Sequence, residues 1–121
     1  MEKMILSVDD SSSIRKMVAY TLKSQGYSVT SVADGQEALE ALARGRFDGI
    51  ILDINMPQLD GLTLLKKIRA EAHTATIPVI MLTTEGQERD KEAAMALGAN
   101  AYIVKPFKPS ELIKIVEKVA G

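Results

Sequence analysis

Apolar residues cluster in five short runs, at Met4–Val8, Val29–Val32, Ile50–Leu52, Val79–Leu82 and Ala101–Val104. Each run is about one strand long, and β-branched residues are frequent. Because the runs are continuous, not alternating, they predict strands buried on both faces. Between them the apolar positions switch to helical spacing. Ile14, Met17, Val18, Thr21 and Leu22 follow i, i+3, i+4, i+7, i+8, with Ser11–Ser13 as N-caps and Gly26 as a stop. Ala38, Leu39 and Leu42 mark a second helix closed by Gly45, and Leu62, Leu65 and Ile68 a third that starts near Asp60. Glu88–Leu97 is a fourth with a thin apolar face and Gly98 at its C′ position. Leu112, Ile115, Val116 and Val119 mark a fifth, entered through Pro109-Ser110.

This order, β then α five times, predicts an α/β fold. Short βα units place helices on both faces of a parallel sheet. A (βα)8 barrel needs about 250 residues, and the chain has 121. The expected architecture is a doubly wound, five-stranded parallel sheet of the flavodoxin-like kind, strand order 2-1-3-4-5, in which ligands bind beyond the carboxyl ends of the strands. The length suits one domain over 1–121 with its own core.

Composition removes several function classes. There are no cysteines, which excludes disulfides and thiolate metal sites and fits a reducing cytoplasm. The formal net charge of −1 gives no basic surplus for nucleic acid. No apolar run approaches the ~20 residues of a membrane span, and MEKMILSVDD is a strand running into acid, not a signal peptide.

The chemistry lies at the strand ends. Strand one runs into Asp9-Asp10, strand three ends on Asp53, strand four on Thr83-Thr84 and strand five on Lys105-Pro106; strand two ends blandly at Ala33-Asp34. In a parallel sheet these ends share one edge. Three carboxylates so placed raise one another's pKa unless a divalent cation or the Lys105 ammonium intervenes. Mg²⁺ prefers oxygen ligands and shares its shell with phosphate. The pattern therefore points to a Mg²⁺ site that handles a phosphoryl group, with Asp53 as the carboxylate able to form an aspartyl phosphate. There is no GxxxxGK[ST] and no GxGxxG, and His73 stands in the polar segment EAHTAT as a solvated loop residue.

Asp9-Asp10, Asp53 before Asn55-Met56-Pro57 and Asp60-Gly61, Thr83 after a strand, and Lys105-Pro106-Phe107 together resemble the receiver domain of bacterial two-component response regulators. The resemblance spans the whole chain and implies roles. Asp53 would accept a phosphoryl group from a partner histidine kinase. Asp10, Asp53 and the Asn55 carbonyl would bind Mg²⁺ directly, with Asp9 acting through water. Lys105 would pair with the phosphoryl oxygens. Thr83 would swing its hydroxyl onto them, and Tyr102 would rotate inward with it, remodelling the surface of helix four, strand five and helix five. The Lys105–Pro106 bond would be cis.

Asn55 and Glu85 would flank the phosphoryl group and tune its lifetime, a pair similar to that of fast-cycling chemotaxis regulators. Thr84 and Ile54 stand where such regulators have an alanine and, in some, a tryptophan. The implied protein is a stand-alone, monomeric phospho-acceptor switch without an output domain, whose only chemistry is self-catalysed phosphorylation and autodephosphorylation. Its implied partners are a histidine kinase, read by helix one near Ser12, Ser13 and Lys16, the flagellar motor switch protein or another output protein, and a phosphatase. The alternatives are a phosphorelay carrier or a regulator of another output such as twitching motility. A phosphohydrolase would want an acid two residues after the nucleophile, and Asn55 cannot donate that proton.

Overall fold

A computed structural model describes residues 2–56, 60–84, 86 and 88–121. The elements alternate: β1 (Met4–Val8), α1 (Ser12–Lys23), β2 (Ser28–Val32), α2 (Gly35–Arg44), β3 (Gly49–Asp53), α3 (Gly61–Ala70), β4 (Val79–Thr84), α4 (Glu88–Ala96), β5 (Ala101–Lys105) and α5 (Pro109–Val119). All strand pairings are parallel, in the order β2-β1-β3-β4-β5. The expected doubly wound sheet is therefore present. Its order reverses at β1, where the chain leaves toward β2 and returns on the other side as β3.

Side-chain alternation along the central strands divides the core in two. Leu6, Val8, Ile50, Leu52, Val79 and Met81 face one way and pack with Ala38 and Leu42 of α2, Leu64, Leu65 and Ile68 of α3, and Ala94 of α4. Ile5, Ile51, Ile80 and Leu82 face the other way, against Val18 and Leu22 of α1 and Leu112 and Val116 of α5. This two-sided burial explains why the runs are continuous. It holds for β3 and most of β1 and β4. The edge strands β2 and β5 are only partly covered, because each has a neighbour on one side alone.

Local signals set the helix ends. The Ser11 hydroxyl accepts from Ile14 N–H, Asp34 from Glu37 N–H and Asp60 from Thr63 N–H, so α1, α2 and α3 each open with a side chain that satisfies an unpaired backbone donor. The bland end of β2 is thus the cap of α2. Gly98 follows α4 at φ 102°, in the left-handed region that closes a helix cheaply only with glycine. Met95 is exposed, not packed, because α4 buries little beyond Ala94.

At the edge of the sheet opposite the carboxyl ends, Arg69 ties three segments together. Its guanidinium donates to the carbonyls of Gly98 (2.8 Å), Ile77 (2.8 Å) and Ala75 (3.1 Å) and to Asn100 Oδ1 (3.0 Å). Asn100 Oδ1 also accepts from Val79 N–H at 2.9 Å. The planar fork serves these diverging acceptors, and a lysine cannot. Arg69→Ala is expected to lower unfolding free energy by about 2 kcal/mol, measured by urea denaturation, and Arg69→Lys to recover less than half of that loss.

Candidate functional site

The carboxyl ends of β1, β3, β4 and β5 meet at one edge. Asp53 is the last residue of β3 and is 3% exposed; Asp9, just beyond β1, is 0% exposed. The Lys105 ammonium, from the end of β5, lies 3.0 Å from Asp9 Oδ2 and 3.4 Å from Asp53 Oδ1. Asp10 is exposed, yet its carboxylate joins those of Asp9 and Asp53, with one oxygen from each within 4.8 Å of the others. This set of hard oxygen donors, open to solvent through Asp10, suits a small divalent cation.

Backbone donors position the two buried acids. Ser11 N–H donates to Asp9 Oδ1 at 2.9 Å and Asn55 N–H to Asp53 Oδ1 at 3.2 Å. Asn55 is exposed, and Glu85 lies outside the described residues. The Lys105–Pro106 bond is cis.

The charges do not balance. Burial pushes the Asp53 carboxyl up, the Asp9 charge pushes it further, and Lys105 pulls it back, leaving it at about 6 in place of 3.8. Burial pulls the Lys105 ammonium down, but the hydrogen bond to Asp9 and the charges of both acids outweigh it, and the net shift is upward.

Thr83 and Tyr102 belong to the neighbouring strands β4 and β5. The β4–β5 register sets Met81 opposite Tyr102 and Thr83 opposite Val104, so Thr83 and Tyr102 share the sheet face that α4 covers. The Thr83 hydroxyl is buried, and among the described residues it has no hydrogen-bond partner. Tyr102 is 38% exposed and lies under the Lys91 ammonium, which is 4.2 Å from the ring centroid.

The family model for the response regulator receiver domain matches residues 5–117. The chain belongs to the response regulator receiver domain family. It is 43% identical over 119 residues to chemotaxis protein CheY1 of Helicobacter pylori, covering 97% of this chain and 96% of that protein. It is 40% identical over 112 residues to the alkaline phosphatase synthesis transcriptional regulatory protein PhoP of Bacillus subtilis, covering 93% of this chain but only 46% of PhoP's length. Among solved structures, chemotaxis protein CheY4 of Vibrio cholerae superposes with a TM-score of 0.93 at 43% identity, covering 98% of this chain and 99% of that one. The receiver domain of sensor histidine kinase PA1611 from Pseudomonas aeruginosa, with a magnesium ion coordinated in its active-site cleft, superposes with a TM-score of 0.90 at 36% identity, covering 100% and 99%. No helix among the described residues is long and apolar enough to cross a membrane.

The structure also shows contacts at this site that sequence patterns did not assign. Arg15 of α1 donates to the Asp9 carbonyl at 2.6 Å. Gly61 packs against the backbone that carries Asp53: a Cβ there would overlap the Asp53 carbonyl oxygen and stand 2.7 Å from Ile54 Cα. Asp60-Gly61 reads in sequence as a turn and cap, and nothing local in it reports this close approach.

Two outcomes follow for the receiver. Because the native Asp53 keeps a proton that the unfolded chain has already released, metal-free stability should fall as pH rises from 3.8 to about 6 and then level off. Asp53→Asn should abolish that decline and raise the metal-free melting temperature at neutral pH by several degrees, read by calorimetry. Gly61→Ala should cost about 1–3 kcal/mol and displace Asp53, measured by urea unfolding and by a weaker Mg²⁺ titration.

Proposed function

We propose that residues 1–121 form a single receiver domain that works as a phosphoryl-accepting switch in chemotaxis. The convergence of Asp9, Asp10 and Asp53 on the Lys105 ammonium at one sheet edge carries this reading. An Asp53 carboxylate oxygen attacks the phosphorus of a phosphohistidine on the partner kinase. A P–O bond forms, the P–N bond breaks, and the histidine leaves with the bonding pair. Asp9, Asp10, Asp53 and the Asn55 carbonyl would hold Mg²⁺, Asp9 through water. Bound Mg²⁺ would neutralise the phosphoryl oxygens.

Lys105 pairs with a phosphoryl oxygen as the new group draws it from Asp53. The Thr83 hydroxyl, otherwise buried without a partner, donates to another. The added charge of about −1.5 to −2 thus favours the arrangement in which Thr83 and Lys105 close on it, and Tyr102 moves inward behind Thr83. Asn55 and Glu85 tune how long the adduct lasts, and autodephosphorylation is the only hydrolysis the domain performs.

The remodelled surface of α4, β5 and α5 then binds an output protein in the cytoplasm, the flagellar motor switch being favoured by the near-complete coverage of CheY1 and CheY4. A phosphorelay role is the second reading, favoured by the similarity to a receiver domain of a sensor histidine kinase.

The experiment is intact mass after incubation with acetyl phosphate, with and without Mg²⁺. Wild type should gain a single Mg²⁺-dependent phosphoryl adduct that Asp53→Asn lacks. Lys105→Ala should take up the group but respond weakly in output binding. Equal uptake by Asp53→Asn would remove Asp53 from the proposed role.

A further inference from the structure

Lys91 belongs to a charged stretch that reads in sequence as a solvated helix face, yet its ammonium has two defined neighbours. One is the Tyr102 ring, 4.2 Å from Nζ to the centroid. The other is Glu88, one turn earlier on α4, whose Oε2 lies 3.2 Å from Nζ. Lys91 is thus braced by a carboxylate on its own helix while it covers an aromatic face on the adjoining strand. A cation over a tyrosine face is attracted by the negative charge density of the ring.

This contact bears on the Asp53 site through the sheet. Tyr102 and Thr83 occupy the same face, offset by two residues along paired strands. The Thr83 hydroxyl is buried and has no partner among the described residues. A phosphoryl group on Asp53 would offer it an acceptor. Thr83 would then vacate space on the face that Tyr102 occupies, and the ring, still 38% exposed, could fill it. Moving the ring inward takes it away from the Lys91 ammonium.

We propose that Lys91, braced by Glu88, is a positioning residue for the switch: it holds the Tyr102 ring outward and sets the resting bias against the phosphorylated arrangement. The inference rests on the phosphoryl-switch reading and adds the residue that opposes it. An exposed cation–π contact is worth about a two- to five-fold change in an equilibrium. By linkage the same factor should appear in the affinity for a phosphoryl mimic at Asp53.

The test uses the full chain with ring-labelled tyrosine. Its three tyrosines are told apart by Tyr102→Phe. NMR reads the Tyr102 ring shift and its relaxation by a soluble paramagnetic probe, with Mg²⁺ and with or without beryllofluoride. Lys91→Met keeps the stem and removes the charge; Lys91→Arg keeps a cation. Without beryllofluoride, the Tyr102 ring of Lys91→Met should become less accessible to the probe, and Lys91→Arg should match wild type. Lys91→Met should also bind beryllofluoride about two- to five-fold more tightly.

An unchanged resting ring in Lys91→Met, or equal movement in Lys91→Arg, overturns the proposal. If Lys91→Met does not fold, Glu88→Gln replaces it, with movement in the same direction expected and no movement overturning the proposal. The resting comparison needs no phosphoryl chemistry. Failure of the switch reading would show separately, as a wild type that binds no beryllofluoride.

Discussion

The Lys105 ammonium between two buried carboxylates is the interaction on which the rest of the structure depends. Asp9 and Asp53 are taken almost wholly out of water, which is costly for ionised groups unless an opposite charge is close. The compensating charge comes from a residue 96 positions from Asp9 along the chain. It can arrive only if β1, β3 and β5 end at the same edge. A parallel sheet achieves this, and the β4–β5 register, which sets Lys105 opposite Thr84, fixes how far the side chain must reach. One ammonium among three carboxylates leaves negative charge in excess. The site is therefore incomplete in charge; a dication completes it, and retention of a proton by Asp53 reduces the excess.

That incompleteness is a local cost borne by a well-packed scaffold. Asp53 is held with a carboxyl raised to about 6, and the Thr83 hydroxyl is buried without a described partner. Both features oppose folding and both are useful to a receiver, because each is relieved when positive charge or new acceptor oxygens enter. The two apolar layers on either side of β1, β3 and β4 supply the stability that tolerates them. On the far edge, the bonds from Arg69 to the turns before β4 and β5 hold those strands in place, so that their carboxyl ends present Thr83 and Lys105 in fixed positions.

Much of this was legible in the sequence. Strand-length apolar runs and helical spacing are local patterns, and their strict alternation leaves few topologies. Once the sheet is parallel, whatever follows each strand must gather at one edge, so Asp9, Asp10, Asp53, Thr83 and Lys105 could be grouped before any contact was known. The partial exposure of β2 and β5 was not legible, because an apolar run does not say whether its strand has one neighbour or two. Gly61 reads as a turn residue, because nothing in Asp60-Gly61 reports that the Asp53 carbonyl passes beside it. The place of Lys91 over Tyr102 is not legible either, because a charged residue on a polar helix carries no mark of the ring beneath it.

The five βα units, the sheet type and the edge at which the chemistry gathers follow from the order of residues alone, since these depend on periodicity and on residues adjacent to strand ends. The sharing of Lys105 by Asp9 and Asp53, the clamp of Arg69 and Asn100 on the opposite edge, and the place of Lys91 over Tyr102 arise from the folded packing. Those contacts join side chains from elements distant in sequence or facing across a helix–strand boundary. Their distances depend on register, helix rotation and rotamer, none of which a one-dimensional pattern contains.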